Sequence, residues 1–200
     1  MVINTRLITE DEYITTEWSG GKTTQLFIYP EESDYSRRNF KFRLSSATVE
    51  LEKSEFTKLE GVYRFITPLD GQLKLTHNHI QYIDLKPFEV YGFDGDKNTV
   101  SFGKARDFNL MLKSGAEGQL DSVYINKELL LSEEIRGNFK EFFYFIYACN
   151  SDVSVEVDGK NYNINQFQTL LIKVENECVL NIKISSTVNA NILAAKILIW

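Results

Sequence analysis

Two stretches of the sequence run in register with each other at an offset of 80 residues. Arg64-Phe65-Ile66-Thr67-Pro68-Leu69-Asp70-Gly71 lies over Tyr144-Phe145-Ile146-Tyr147-Ala148-Cys149-Asn150-Ser151. Leu73 and Leu75 then lie over Val153 and Val155, and Tyr82 over Tyr162. After a slip of one residue, Pro87-Phe88 meets Gln166-Phe167. Identities are few, but strand, turn, strand, turn and strand recur in one order, the mark of a supersecondary unit used twice. The expected fold is all-β, with two antiparallel β-barrel halves, residues 1–122 and 123–200, stacked as one compact unit. Closing and stacking the halves removes most sheet edges, so that many strands can stay in solution.

Local patterns point the same way. The run Thr24-Gln25-Leu26-Phe27-Ile28-Tyr29 ends at Pro30, a strand followed by a breaker. Further strands are expected at residues 40–51, 65–69, 72–76, 81–85, 100–102 and 108–112. The 10 tyrosines and 14 phenylalanines favour pleated, half-buried surfaces. One short helix is expected at residues 132–140, linking the halves, with Ser132 as its cap and Glu133-Glu134 in its first turn.

Charge and cysteine usage exclude several function classes. The net charge is -6, and the lysines and arginines are scattered, so no basic stripe exists to neutralise a run of phosphates. Neither nucleic acid nor a membrane surface is therefore an expected partner. Met1-Val2-Ile3-Asn4-Thr5-Arg6 lacks the apolar core of a signal peptide, and no stretch has the apolar length of a spanning helix. Cys149 and Cys178 form no CxxC pair and suit reduced thiols in the cytoplasm.

Five segments in order carry a family resemblance. They are Trp18-Ser19-Gly20-Gly21-Lys22-Thr23-Thr24, Phe42-Arg43-Leu44-Ser45-Ser46-Ala47, Gly61-Val62-Tyr63-Arg64, Phe93-Asp94-Gly95-Asp96 and Asp107-Phe108-Asn109-Leu110-Met111. Together they resemble the HutD/Ves family of bicupins. The resemblance implies two double-stranded β-helix halves and a small-molecule-binding protein linked to control of histidine utilisation or to stress responses, with no established catalytic mechanism. Two positions depart from the family pattern. Phe42 stands where the family usually has Trp, and Tyr63 where an acidic residue commonly precedes the Arg. The second departure removes a partner for Arg64.

Three motifs suggest other chemistry. His77-Asn78-His79 invites a metal, since two imidazoles one residue apart on a strand can share an ion. The repeat lays this triplet over Val157-Asp158-Gly159, and Asp-Gly signals a hairpin turn, so the histidines are expected at a loop tip with diverging side chains. Aligning Gly71 with the glycine that closes the cupin metal motif puts Arg64 at the metal-binding glutamate and Thr57 and Leu59 at the two histidines; none of the three holds a cation. No metal and no other cofactor is therefore expected. Gly21-Lys22-Thr23 lacks the earlier glycine and the following helix of a phosphate-binding loop, and its glycines suit a tight turn or bulge. Cys149 lies in the apolar run from Phe142 to Ala148 and is expected to be buried rather than nucleophilic.

Alternation picks out a different set. Along residues 40–51, Arg43 and Ser45 share a face with Ala47, Val49 and Leu51, the pattern of a barrel interior holding two polar groups. Asp107, Asn109 and Met111 share a face of their strand, and Arg64 leads the strand that supplies the metal carboxylate in catalytic cupins. If all six point inward, the interior holds two positive charges and one negative, and an anion is expected to make up the difference. Arginine forks suit a carboxylate, and Ser45 and Asn109 can orient it. The expected ligand is a small carboxylate metabolite, bound without metal by a non-catalytic regulatory protein. Two alternatives stand beside this reading. One is an internal Arg43–Asp107 ion pair with Arg64 at the rim; the other is a metal-free isomerase or lyase acting on a small acid or sugar. The apolar C-terminal run Leu193-Ala194-Ala195-Lys196-Ile197-Leu198-Ile199-Trp200 suits a buried strand, a homodimer contact, or both.

Overall fold

Strands make up nearly all the regular structure of the computed structural model, which describes residues 3–200. In chain order they begin with β1 (Ile3–Ile8), β2 (Ile14–Trp18), β3 (Gly21–Tyr29), β4 (Phe42–Val49), β5 (Lys53–Glu55) and β6 (Val62–Pro68). Next come β7 (Leu73–His77), β8 (Gln81–Leu85), β9 (Tyr91–Asp94), β10 (Thr99–Phe102) and β11 (Ala105–Lys113). The rest are β12 (Ala116–Ile125), β13 (Glu128–Ile135), β14 (Glu141–Ala148), β15 (Val153–Val157), β16 (Lys160–Ile164), β17 (Thr169–Val174), β18 (Cys178–Ser185) and β19 (Ala190–Ile199). The only helical pieces among the described residues are two 3-10 turns, Glu10–Glu12 and Tyr35–Arg37. Among the described residues, no helix is long and apolar enough to cross a membrane.

The strands form two units. Tyr13–Ala116 carries a six-stranded sheet in the order β2-β3-β4-β11-β6-β9 and a four-stranded sheet β5-β10-β7-β8. Residues 3–12 with Glu117–Trp200 carry a five-stranded sheet β1-β17-β14-β19-β12 and a four-stranded sheet β13-β18-β15-β16. The repeat seen in the sequence is a repeat of topology. The order β4-β11-β6-β9 recurs as β12-β19-β14-β17, and β5-β10-β7-β8 recurs as β13-β18-β15-β16. Each unit then adds its own edge. β2 and β3 extend the first beyond β4, and β1 extends the second beyond β17, with Ile3 opposite Val174 and Ile8 opposite Thr169.

The later unit packs its two sheets around continuous apolar contact. Phe142, Tyr144, Ile146 and Ala148 from one face of β14 meet Val153, Val155 and Val157 of β15 and Leu180, Ile182 and Ile184 of β18, all nearly inaccessible. Each such aliphatic or aromatic side chain contributes about 1.5–3 kcal/mol on burial. The interior of Tyr13–Ala116 is built differently. Ile66, Leu73, Leu75, Leu85 and Phe93 form one apolar cluster, and Ile28, Phe40, Leu59, Val62 and Met111 another. Polar side chains occupy the same sheet face beside them.

Two local expectations are corrected. Residues 132–140 are not a helix, because Ser132 lies inside β13, opposite Asn181 of β18. Period-2 alternation wins there: Leu129, Leu131, Glu133 and Ile135 turn inward, while Glu128, Leu130, Ser132 and Glu134 are exposed. His77 does not diverge into water at a loop tip. The turn begins one residue later, with Asn78 and His79 at positive φ, so His77 is the last residue of β7 and is buried. Its Nδ1 pairs with Thr99 Oγ1 at 2.9 Å and its Nε2 with Tyr91 OH at 3.2 Å. Both ring nitrogens are thereby engaged, and burial holds its pKa below the usual histidine value.

The β2–β3 hairpin turns at Ser19-Gly20, and Gly21 begins β3 with φ near +145°. A Cβ there would fall 1.9 Å from the carbonyl oxygen of Thr48 on β4, so only glycine permits this approach. Gly21→Ala is expected to cost about 2 kcal/mol or more, measured as a lowered urea midpoint, because backbone rather than a flexible side chain must give way.

Candidate functional site

Cross-strand register arranges the inner face of the six-stranded sheet as a grid. One row runs Ile28, Arg43, Met111, Arg64 and Phe93, from β3 through β4, β11 and β6 to β9. The next runs Gln25, Ser45, Asn109, Ile66 and Tyr91. The third runs Thr23, Ala47, Asp107 and Pro68. Side chains of directly paired residues share a face, so the registers bring Arg43, Ser45, Arg64, Asp107, Asn109 and Met111 together. All six line one cavity of about 290 Å³, at the small end of the range for metabolite sites.

Each guanidinium is held by neutral groups. Arg43 Nε donates to Gln25 Oε1 at 2.8 Å, and its NH1 donates to Ser45 Oγ at 3.0 Å. Its guanidinium lies over the Tyr35 ring at 4.2 Å, and that of Arg38 over the same ring at 3.9 Å. Tyr35 is placed by its 3-10 turn, where Asp34 Oδ1 accepts from the Ser36 amide at 2.7 Å. Arg64 lies over Phe56 at 4.7 Å and Phe93 at 5.4 Å, and its Nε is buried with no hydrogen-bond partner. Both arginines are only 5–6% exposed. No ion pair among the described residues includes Arg43, Arg64 or Asp107. The Arg43–Asp107 pair and the exposed Arg64 considered from the sequence are not formed.

Side chains that sequence alternation did not single out also line it, among them Trp18 from β2, Tyr35, and Phe56 just after β5. Trp18 is 39% exposed, and its ring packs so closely on the hairpin turn that a Cβ at Gly20 would sit 2.0 Å from it. Glu55 also lines the cavity but is exposed. Among the described residues, no three of His, Cys, Asp and Glu gather as a metal would need.

Burial sets the electrostatics. It pushes Arg43 and Arg64 down to about 10, while the neighbouring Tyr35 phenol works the other way on both. It pushes Asp107 up to about 7, against the pull of Arg64 and a backbone hydrogen bond from Ala47. Asp107 thus titrates near neutrality, and the buried groups Arg43, Arg64 and Asp107 together carry a net charge between one and two positive, with the exposed Glu55 outside that sum. Its folded pKa lies above its ordinary value of 3.8, so the folded protein binds this proton more tightly than the unfolded chain. The associated instability therefore grows as pH rises from about 4 to about 7 and is constant above that. Asp107→Asn is expected to match the parent protein near pH 4 and to exceed its stability by a few kcal/mol at pH 8, at roughly 1.4 kcal/mol per pKa unit. Urea midpoints across that range measure the difference.

The HutD family model matches residues 10–190 of the chain. No curated protein sequence matches it. A conserved protein of unknown function from Pseudomonas aeruginosa PAO1 superposes with a TM-score of 0.81 at 19% identity, over 98% of this chain and 100% of that one. HutD from Pseudomonas fluorescens SBW25, in its formate condition, gives 0.69 at 20% identity, over 96% and 98%. Vicilin from Solanum melongena gives 0.64 at 9% identity, over 96% and 84%, which places the all-β architecture with the cupin-like folds. The family match runs nearly from end to end, and the chain belongs to the HutD family.

Proposed function

We propose that this HutD-family protein is a non-catalytic regulatory protein whose first cupin half, Tyr13–Ala116, binds a small carboxylate metabolite without metal. The observation that carries the reading is the charge balance of the cavity. Two guanidinium groups are withdrawn from water beside one carboxyl that titrates near neutrality, so an anion is the missing counter-charge. A carboxylate matches the planar donor fork of arginine. Two solved structures of similar fold are in keeping with this class of ligand: HutD of Pseudomonas fluorescens has a structure in a formate condition, and the vicilin of Solanum melongena holds different anionic ligands in structurally similar pockets. By analogy with the family, the metabolite belongs to histidine utilisation and the protein acts in the cytoplasm, where its free thiols Cys149 and Cys178 stay reduced.

One observation favours a second reading. An Asp107 pKa near 7 is that of a group able to take and return a proton at neutral pH, as a metal-free isomerase or lyase acting on a small acid would require. Incubating the protein with candidate acids and following them by NMR separates the two, since binding alone leaves each acid unchanged.

The binding reading is tested by thermal shift. Small carboxylates at millimolar excess are expected to raise the unfolding midpoint, by the equivalent of about 2.7 kcal/mol at one hundred times Kd, while chloride at equal ionic strength does not. Arg43→Ala and Arg64→Ala should each abolish the response. A protein indifferent to every carboxylate would remove the basis of the proposal.

A further inference from the structure

Two residues that line the cavity each hold a buried polar atom without a partner, and the two atoms are of opposite type: Arg64 Nε, a donor, and Asn109 Oδ1, an acceptor. Their positions follow from register. Arg64 stands opposite Met111, and Asn109 lies two residues along β11 on the same face, a diagonal separation of about 7–8 Å between strands. The row neighbours of Asn109 do not serve it. Ile66 on β6 is apolar, and the hydroxyl of Ser45 on β4, which accepts from Arg43 NH1, makes no bond to Oδ1. The amide of Gln25, the next residue in that row, whose Oε1 accepts from Arg43 Nε, makes none either. A simple carboxylate supplies only acceptors, so it satisfies Arg64 and gives Asn109 Oδ1 nothing to accept.

Resting on the carboxylate reading above, we infer that the natural ligand is an acid carrying its own hydrogen-bond donor, a hydroxyl or an amide N–H, set to reach Asn109 Oδ1 while the carboxylate meets Arg64. The size of the cavity agrees. About 290 Å³ is far more than a bare carboxylate fills, and leaves room for a body of several further atoms against Met111, Phe56 and Trp18. A ligand that offers Asn109 Oδ1 no donor leaves a buried acceptor unpaired, and a site built for a donor rejects the isostere that lacks one.

Matched isosteres test this on the intact protein. Glycolate is compared with propionate, and N-acetylglycine with 4-oxopentanoate, each pair differing by the replacement of O–H or N–H with a carbon group. Calorimetric titration is expected to give the donor-bearing member of each pair about ten- to a hundredfold tighter binding, the ratio carried by one buried hydrogen bond. In Asn109→Leu, close in shape but with no acceptor, the ratio should fall to about one while both acids still bind. Equal affinities within both pairs on the native protein would overturn the inference and leave the carboxylate reading standing. A preference that survives Asn109→Leu would also overturn it, by placing the acceptor elsewhere. If no acid of either pair binds, the carboxylate reading itself falls.

Discussion

A guanidinium taken out of water must find its compensation where it lies, and Tyr13–Ala116 takes two of them inside. Arg43 is met by an amide oxygen, a hydroxyl and the face of Tyr35; Arg64 is met by the faces of Phe56 and Phe93. Ring faces and neutral acceptors soften the loss of hydration, each to the extent of about 1 kcal/mol or a little more, but none carries a full opposing charge. Among the described residues, the enclosed carboxyl beside them is Asp107, itself pushed toward its neutral form by burial. The polar face of the six-stranded sheet is therefore a strained electrostatic arrangement that holds together because the surrounding apolar clusters and strand ladders are sound.

The later unit shows what the same topology does without that burden. β14 and β19 pair in the manner of β6 and β11, so Tyr144 stands at the place of Arg64, Lys196 at that of Met111, Ala194 at that of Asn109 and Ile192 at that of Asp107. Ala194 and Ile192 belong to the apolar core, and Lys196 is neutralised by Glu133 at 2.5 Å. One copy of the repeat is packed for stability, and the other keeps its interior hollow and charged.

Alternation made Arg43, Ser45, Asp107, Asn109 and Met111 legible because strand geometry with period 2 is enough to assign a face, whereas Arg64 was picked out by its place in the cupin pattern. It did not reveal Trp18, Tyr35 or Phe56. Trp18 reaches the cavity from an edge strand, Tyr35 from a 3-10 turn and Phe56 from an irregular segment, where local spacing says nothing about direction. The mistaken helix at 132–140 has a similar origin. Ser132-Glu133-Glu134 imitates a capped first turn, but capping contributes about 1 kcal/mol, whereas pairing β13 with β18 buries Ile135 and aligns Leu129 and Leu131 with the core. His77 was misplaced by a single residue, and on a strand end one residue separates the interior from the solvent.

β1 carries a consequence for how the chain comes to be made. It leaves the ribosome before every other strand of its sheet, yet its partner β17 follows far along the chain, with Ile3 opposite Val174. At the usual pace of synthesis, β1 waits roughly ten seconds or longer before any β17 exists to receive it. During that interval the nascent chain holds an unmatched strand, and β17, until β1 arrives, presents an open ladder edge to any strand that reaches it first, including the β1 of a neighbouring copy.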